Sequence, residues 1–186
     1  LYTVITEILL EGTVVDRVRT EYGIRTIEWP DLEGPTGQPL KINGEPFFIN
    51  GTADYEHLMG ESHAFTDQQV RARAGKIIAT GFNAFRDAHH PHNLRFNRVW
   101  DREGLLWWTQ FGAHIWFDNP EFRATFKARI RDWVRERRNS PSLFLYTIQN
   151  ESKLPAWFAA ECRAIIRELD PTASSQRLVV TCNGGE

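Results

Sequence analysis

With 186 residues, 41% of them hydrophobic and 25% charged, the chain has an ordinary globular composition and is large enough for a sizeable core. A formal net charge of −2 with no basic run argues against nucleic acid, and no apolar stretch approaches the roughly 18 residues of a membrane span. Two cysteines, Cys162 and Cys182, provide neither a disulfide framework nor a metal-ligand spacing and are expected to be core residues.

The chain begins without Met and enters directly into a strand-like pattern, as expected of a segment cut from a longer polypeptide. Residues 1–29 read as two strands, Tyr2 to Leu10 and Val14 to Trp29, split by Glu11-Gly12-Thr13. Two strands cannot bury a core alone, so they are expected to be the last hairpin of a β-sandwich. Residues 30–39 form a Pro- and Gly-rich linker.

From residue 40 to 186 strands and helices alternate. Leu40-Lys41-Ile42 and Phe47-Phe48-Ile49 flank Asn43-Gly44, a strong hairpin signal because both turn positions tolerate positive φ. Thr66 and Gln69 make a capping box opening a helix with Val70, Ala74, Ile77 and Ile78 inward, stopping at Gly81. Asn83 to His89 is a strand, Leu94 to Glu103 a helix ended by Gly104, and Leu105 to Phe111 a strand in which Trp107 and Trp108 must face opposite ways. Asn119 and Pro120 open a helix with Phe122, Phe126, Ile130, Trp133 and Val134 at helical spacing. Its basic end, Arg135 to Arg138, is expected to be solvated. Ser142 to Gln149 is the next strand, Pro155 to Leu169 the next helix and Arg177 to Cys182 a further strand.

This alternation predicts a parallel sheet with crossover helices. No G-x-G-x-x-G or G-x-x-x-x-G-K-[ST] sequence follows a strand, so the usual nucleotide-binding reasons for an open sheet are missing. Polar residues instead recur at strand C-terminal ends: Asp54, Glu56 and His57; Arg86, Asp87, His89 and His90; Gln110; Asn150 and Glu151; Asn183. That is the active rim of a (β/α)8 TIM barrel, of which about five strands are present, against roughly 250 residues for a complete one. The fold class expected is therefore α/β: a partial (β/α)8 barrel preceded by a β-hairpin from an immunoglobulin-like β-sandwich.

Glu151 ends the apolar strand Leu143 to Ile148, and an apolar wall favours the neutral carboxyl that a general acid must present. Asn150 offers a donor and an acceptor to a sugar hydroxyl. The bland alternative is that Asn-Glu caps the following helix. His89, His90 and His92 invite a zinc reading, but Pro91 holds the segment extended and a third ligand of matching geometry would be needed. No metal and no cofactor is expected. Trp116 and Phe117 follow the third barrel strand and are read either as a stacking platform for sugar rings or as core.

Six motifs in register, Phe47-Phe48-Ile49-Asn50-Gly51, Gly81-Phe82-Asn83-Ala84-Phe85-Arg86, His89-His90-Pro91, Glu103-Gly104-Leu105-Leu106, Arg138-Asn139-Ser140-Pro141-Ser142 and Asn150-Glu151-Ser152, resemble the barrel of family 2 glycoside hydrolases. The resemblance covers nearly the whole chain. It implies a retaining β-glycosidase of the β-galactosidase, β-glucuronidase and β-mannosidase group, with Glu151 as acid/base and Asn150 near the sugar 2-hydroxyl. It further implies that Arg86 holds the nucleophile carboxylate and His89 contacts a hydroxyl. Asp54 and Trp116 complete the expected substrate-binding set.

Retention needs two carboxyl groups about 5–5.5 Å apart. The nucleophile is expected on a seventh strand not contained here, and Asp54, Glu56, Asp87 and Asp118 are the acids that would otherwise substitute. Residues 1–186 alone are accordingly expected to show no turnover. The family usually shows Asn-Arg-His-Glu where Ala53-Asp54-Tyr55-Glu56 stands, and Asp-Glu where Thr109-Gln110 stands. Familiar sugar specificity and the magnesium site of some β-galactosidases are therefore not carried over. The partners expected are an oligosaccharide or glycoside and the remainder of the same polypeptide, without nucleic acid or membrane; a homo-oligomer is compatible with the sequence. The alternatives are a carbohydrate-binding or structural barrel without catalysis, and a metal-dependent TIM-barrel hydrolase.

Overall fold

A computed structural model describes residues 1–31, 34–35, 37–58 and 64–182. Its centre is a five-stranded parallel sheet of β6 (Gly51–Tyr55), β7 (Ala84–Ala88), β8 (Leu106–Ala113), β9 (Leu143–Asn150) and β10 (Leu178–Cys182). The strands pair in chain order. Helices α1 (Asp67–Ala79), α2 (Leu94–Glu103), α3 (Pro120–Arg137) and α4 (Ala156–Leu169) connect them. Sequential parallel strands with helical crossovers are the build of a TIM barrel, here an arc of one.

The layer between sheet and helices is the main core. Trp100, Trp107, Phe85, Phe96, Tyr146 and Phe158 are fully buried there, with Ile130, Ile166 and Cys162. Burial pushes the Cys162 thiol up to about 12, as suits an inert core residue. Cys182, expected in the core, is only half-buried. Ile78 also departs from its expected inward place and is exposed, because α1 turns only Val70, Ala74 and Ile77 to the sheet.

A second cluster fills the concave face at the strands' N-terminal ends. Ala84, Leu106, Phe144 and Leu145 meet Ile27 and Leu40, with Trp29, Ile42 and Phe47 packed around them. The latter residues come from a small antiparallel sheet, β3 (Ile27–Glu28), β4 (Leu40–Ile42) and β5 (Glu45–Phe47). Asn43 and Gly44, both at positive φ, join β4 to β5 as predicted.

Here the strand predicted from Val14 to Trp29 divides. It ends at Tyr22, and Ile27 and Glu28 pair with Ile42 and Lys41, closing the barrel floor. Hydrogen bonds thus cross the expected boundary between residues 1–29 and 40–186. The first hairpin, β1 (Tyr2–Leu10) with β2 (Thr13–Tyr22), is exposed along its length and tied at its base by Arg102 to Glu21. The first barrel strand, expected at Phe47 to Ile49, is instead β6. Gly51-Thr52-Ala53 carries no run of large apolar residues, whereas the predicted strand Phe47 to Ile49 stops at Phe47.

At the floor, Asp170 and Arg177 form a buried ion pair at 2.5 Å, and Asp170 also accepts from Tyr146 and Thr172. Burial raises the Asp170 pKa, but Arg177 and the bonds from Thr172, Arg177 and Tyr146 outweigh that, holding the carboxyl below its ordinary value. A depressed folded-state pKa contributes stability that is present above the unfolded value of about 3.9 and is lost as pH falls through the folded one. The thermal midpoint of the whole protein should therefore fall on acidification below about pH 4, and fall less steeply in Asp170→Asn. Equal acid sensitivity of the two proteins would rule out this origin.

Candidate active site

Strand alternation decides which side chains meet at the rim. On β8, Trp107 and Thr109 face the helices, while Trp108 and Gln110 face the concave side, where Arg86 of β7 lies. The division predicted for Trp107 and Trp108 is thus observed. Arg86 Nη2 donates to Gln110 Oε1 at 2.9 Å and to Asn150 Oδ1 at 2.5 Å. Its guanidinium lies over the Trp108 ring, 4.7 Å from the centroid, and Trp108 donates to Thr147 of β9. His89 Nδ1 is 3.2 Å from Gln110 Oε1, with the Tyr55 ring edge-on at 5.3 Å. Three strands therefore converge on one polar cluster.

Two polar atoms in this cluster, Arg86 Nε and Asn150 Nδ2, are buried without a hydrogen-bond partner among the described residues. Leaving such donors unmade costs about 1–3 kcal/mol each. Together they make the cluster suited to an incoming oxygen-rich or anionic group.

Glu151 follows Asn150 at a φ of 47°, with its backbone N–H donating to Cys182 O at 2.7 Å. The carboxylate lies 3.9 Å from His114 Nδ1, and its side chain is 75% exposed. The apolar wall expected around it is therefore not found: the residues of β9 that precede it turn to the core, and the left-handed backbone sends Glu151 outward. His114 itself is held at the rim by its N–H bond to Asn150 O and lies near the His89 ring.

Other predicted residues lie elsewhere. Asp54 faces the helices and pairs with Arg73 of α1. Trp116 is half-buried, packed among Phe122, Trp157 and Phe158, while Phe117 is exposed. His90 and His92 separate from His89: His90 contacts Pro91 O, and His92 is buried behind the sheet near Asp87. Among the described residues no group of three or more His, Cys, Asp or Glu side chains is arranged to hold a metal ion. None of their helices is long and apolar enough to cross a membrane. Asn183 lies outside the described residues. Arg137, expected in solvent, is buried; it donates to His92 O at 3.0 Å beside the Trp107 ring, which a helix-end charge pattern cannot reveal.

Sequence reasoning also undervalued Gln110 and Trp108. Gln110 is expected at the rim, but with no role of its own; in the structure it joins Arg86 to His89. Period-two alternation from Arg86 and its partner Trp108 was the available signal.

The arc of TIM barrel gathers cationic, amide and carboxyl groups at its C-terminal rim, the face on which barrel enzymes build their active sites. The profile of glycosyl hydrolases family 2, TIM barrel domain, matches residues 36–185, and the chain belongs to that family. A Formosa agariphila protein provisionally named beta-glucuronidase is 28% identical over 178 residues, 92% of this chain and 16% of its own length. A beta-galactosidase of Psychromonas ingrahamii is 28% identical over 152 residues, 77% of this chain and 14% of its own length. The crystal structure of a glycosyl hydrolase family 2 member from Bacteroides cellulosilyticus superposes with a TM-score of 0.79 at 25% identity, covering 96% of this chain and 24% of that one. The chain thus spans about a sixth of the length of these curated relatives.

Proposed function

We propose that these residues form part of the active site of a retaining glycosidase that cleaves β-glycosidic bonds, with Glu151 as general acid and then general base. The observation that carries this reading is the convergence of Arg86, Gln110, Asn150 and His89 beside Glu151 on a family 2 barrel. Glu151 protonates the departing glycosidic oxygen and later takes a proton from the attacking water. Asn150 Nδ2, buried and unpartnered among the described residues, donates to the sugar near its 2-hydroxyl. Arg86 orients the nucleophile and keeps it ionised, and His89 contacts a further hydroxyl.

The nucleophile is a carboxylate on a strand other than the five described. The four acids named as substitutes are engaged elsewhere. Asp54 pairs with Arg73, Glu56 accepts from Asn93 N at 2.6 Å, Asp87 lies behind the sheet, and Asp118 pairs with Arg123. The exposed β1–β2 hairpin belongs, on this reading, to a β-sandwich preceding the barrel. Asp54 and Trp116 act at most on outer parts of the substrate, since neither joins the cluster.

Release of nitrophenolate by the whole protein from 4-nitrophenyl β-glycosides, the galactoside and glucuronide first, is the test. Hydrolysis of one of them, with the β-anomer of the sugar formed first, supports the reading. Absence of hydrolysis across the β-glycoside set contradicts it. On the competing reading, a barrel that binds sugars without cleaving them, those glycosides would bind and stay intact.

A further inference from the structure

The ladder between β7 and β8 stops early. It pairs Ala84, Phe85 and Arg86 with Leu106, Trp107 and Trp108. The ladders on either side continue towards the rim, to Tyr55 with Ala88 and to Ala113 with Asn150. Arg86 therefore stands in the last pair of that ladder and reaches Gln110 just beyond its end.

Behind that gap lies Asp87, fully buried. Its Oδ1 accepts from Trp107 Nε1 at 2.8 Å and faces His92 Nδ1 at 3.5 Å. Its Oδ2 accepts from Thr109 Oγ1 at 3.0 Å, and Thr109 in turn accepts from Trp133 Nε1 of α3 at 3.3 Å. Trp107 and Thr109 are the two residues that alternate with Trp108 and Gln110. A carboxylate buried without need would be costly, since burial raises its pKa against the opposing pull of His92 and the bonds from Trp107 and Thr109. Fixing the strand ends gives that cost a use.

We propose that Asp87 is a positioning residue for the rim: from behind the sheet it clamps β8 to β7 through Trp107 and Thr109, setting Arg86 against Gln110 and Asn150 on the front. Asp87 touches no substrate. The inference rests on reading the rim as the glycosidase site, but the clamp itself is a statement about the two strands.

Three variants of the whole protein test it. Asp87→Ala removes both acceptors. Thr109→Val removes the rim-side bond to Asp87 together with the acceptor for Trp133 Nε1, leaves the Trp107 bond and the volume in place, and serves if the first fails to fold. Asp87→Asn keeps an acceptor for Trp107 and offers its amide N–H to the Thr109 oxygen. Hydrogen exchange and inhibition by a sugar 1,5-lactone, a planar mimic of the transition state, are the readouts.

In Thr109→Val, amides of residues 86–90 and 108–112 should exchange about tenfold faster while those of α4 are unchanged, the lactone Ki should rise about tenfold, and kcat should fall more than KM changes. Asp87→Asn should recover most of both effects. Loss of active protein without loss of positioning lowers total activity and leaves Ki unaltered; that result, or unchanged exchange at these amides, overturns the proposal. A wild-type protein that neither binds the lactone nor hydrolyses a β-glycoside would sink the glycosidase reading, with hydrogen exchange still deciding the clamp.

Discussion

Replacing Glu151 by Gln in the whole protein should lower kcat/KM for a 4-nitrophenyl β-glycoside by about 10²–10⁴-fold, the usual contribution of a general acid–base group. Gln keeps the shape and the hydrogen-bonding reach of Glu but supplies no transferable proton. The left-handed backbone at Glu151 and its N–H bond to Cys182 O are unaffected, so folding should be preserved. Steady-state kinetics beside the thermal midpoint separates the two properties. Equal rates in a folded variant would remove Glu151 from the chemistry and require another group as the acid.

The largest effect on stability is expected at the opposite end of the sheet. Arg177 donates to Asp170 Oδ2 at 2.5 Å, to Arg138 O and Ser140 O at 2.6 Å each, and to Leu143 O at 3.0 Å. One guanidinium thus ties the end of α3 and the start of β9 to the turn that follows α4. Arg177→Met keeps the stem but leaves Asp170 as an uncompensated buried charge. Breaking such a pair costs about 3–5 kcal/mol, which for a domain of this size lowers the thermal midpoint by roughly 6–20 °C. Arg177→Lys should recover only part, because an ammonium cannot reproduce the planar fork that spans four acceptors. Scanning calorimetry of the three proteins checks this, and a Met variant within 2 °C of wild type, roughly the smallest shift worth 1 kcal/mol, would contradict it.

Local signals carried most of the secondary structure. Asn43-Gly44 forms its two-residue turn. Thr66 and Gln69 close their capping box, and Leu94–Glu103 ends at a left-handed Gly104. Asn119 accepts from Phe122 N at the start of α3. Each of these depends on residues within a few positions of one another.

The misses depend on distant partners. Ile27 and Glu28 leave the first hairpin because Ile42 and Lys41 await them on the barrel floor. Arg137 is buried by the carbonyl of His92, 45 positions away. Of the site, the convergence of Arg86 and Asn150 follows from motifs at strand ends, but the bridging place of Gln110 and the helix-facing direction of Asp54 follow from register. The exposure of Glu151 follows from the turn its backbone takes after β9, which the run of apolar residues before it does not encode.

Proton donation to the leaving group is the central claim at Glu151, and its dependence on leaving-group basicity tests it most directly. The kcat/KM values of wild type and Glu151→Gln would be compared on 2,4-dinitrophenyl and alkyl β-glycosides of the preferred sugar. A dinitrophenolate departs without a proton, so the variant should approach wild type on that substrate for the glycosylation step and lose its activity almost entirely on the alkyl glycoside. A uniform loss across both leaving groups, or no loss on either, would contradict the assignment of Glu151 as the acid.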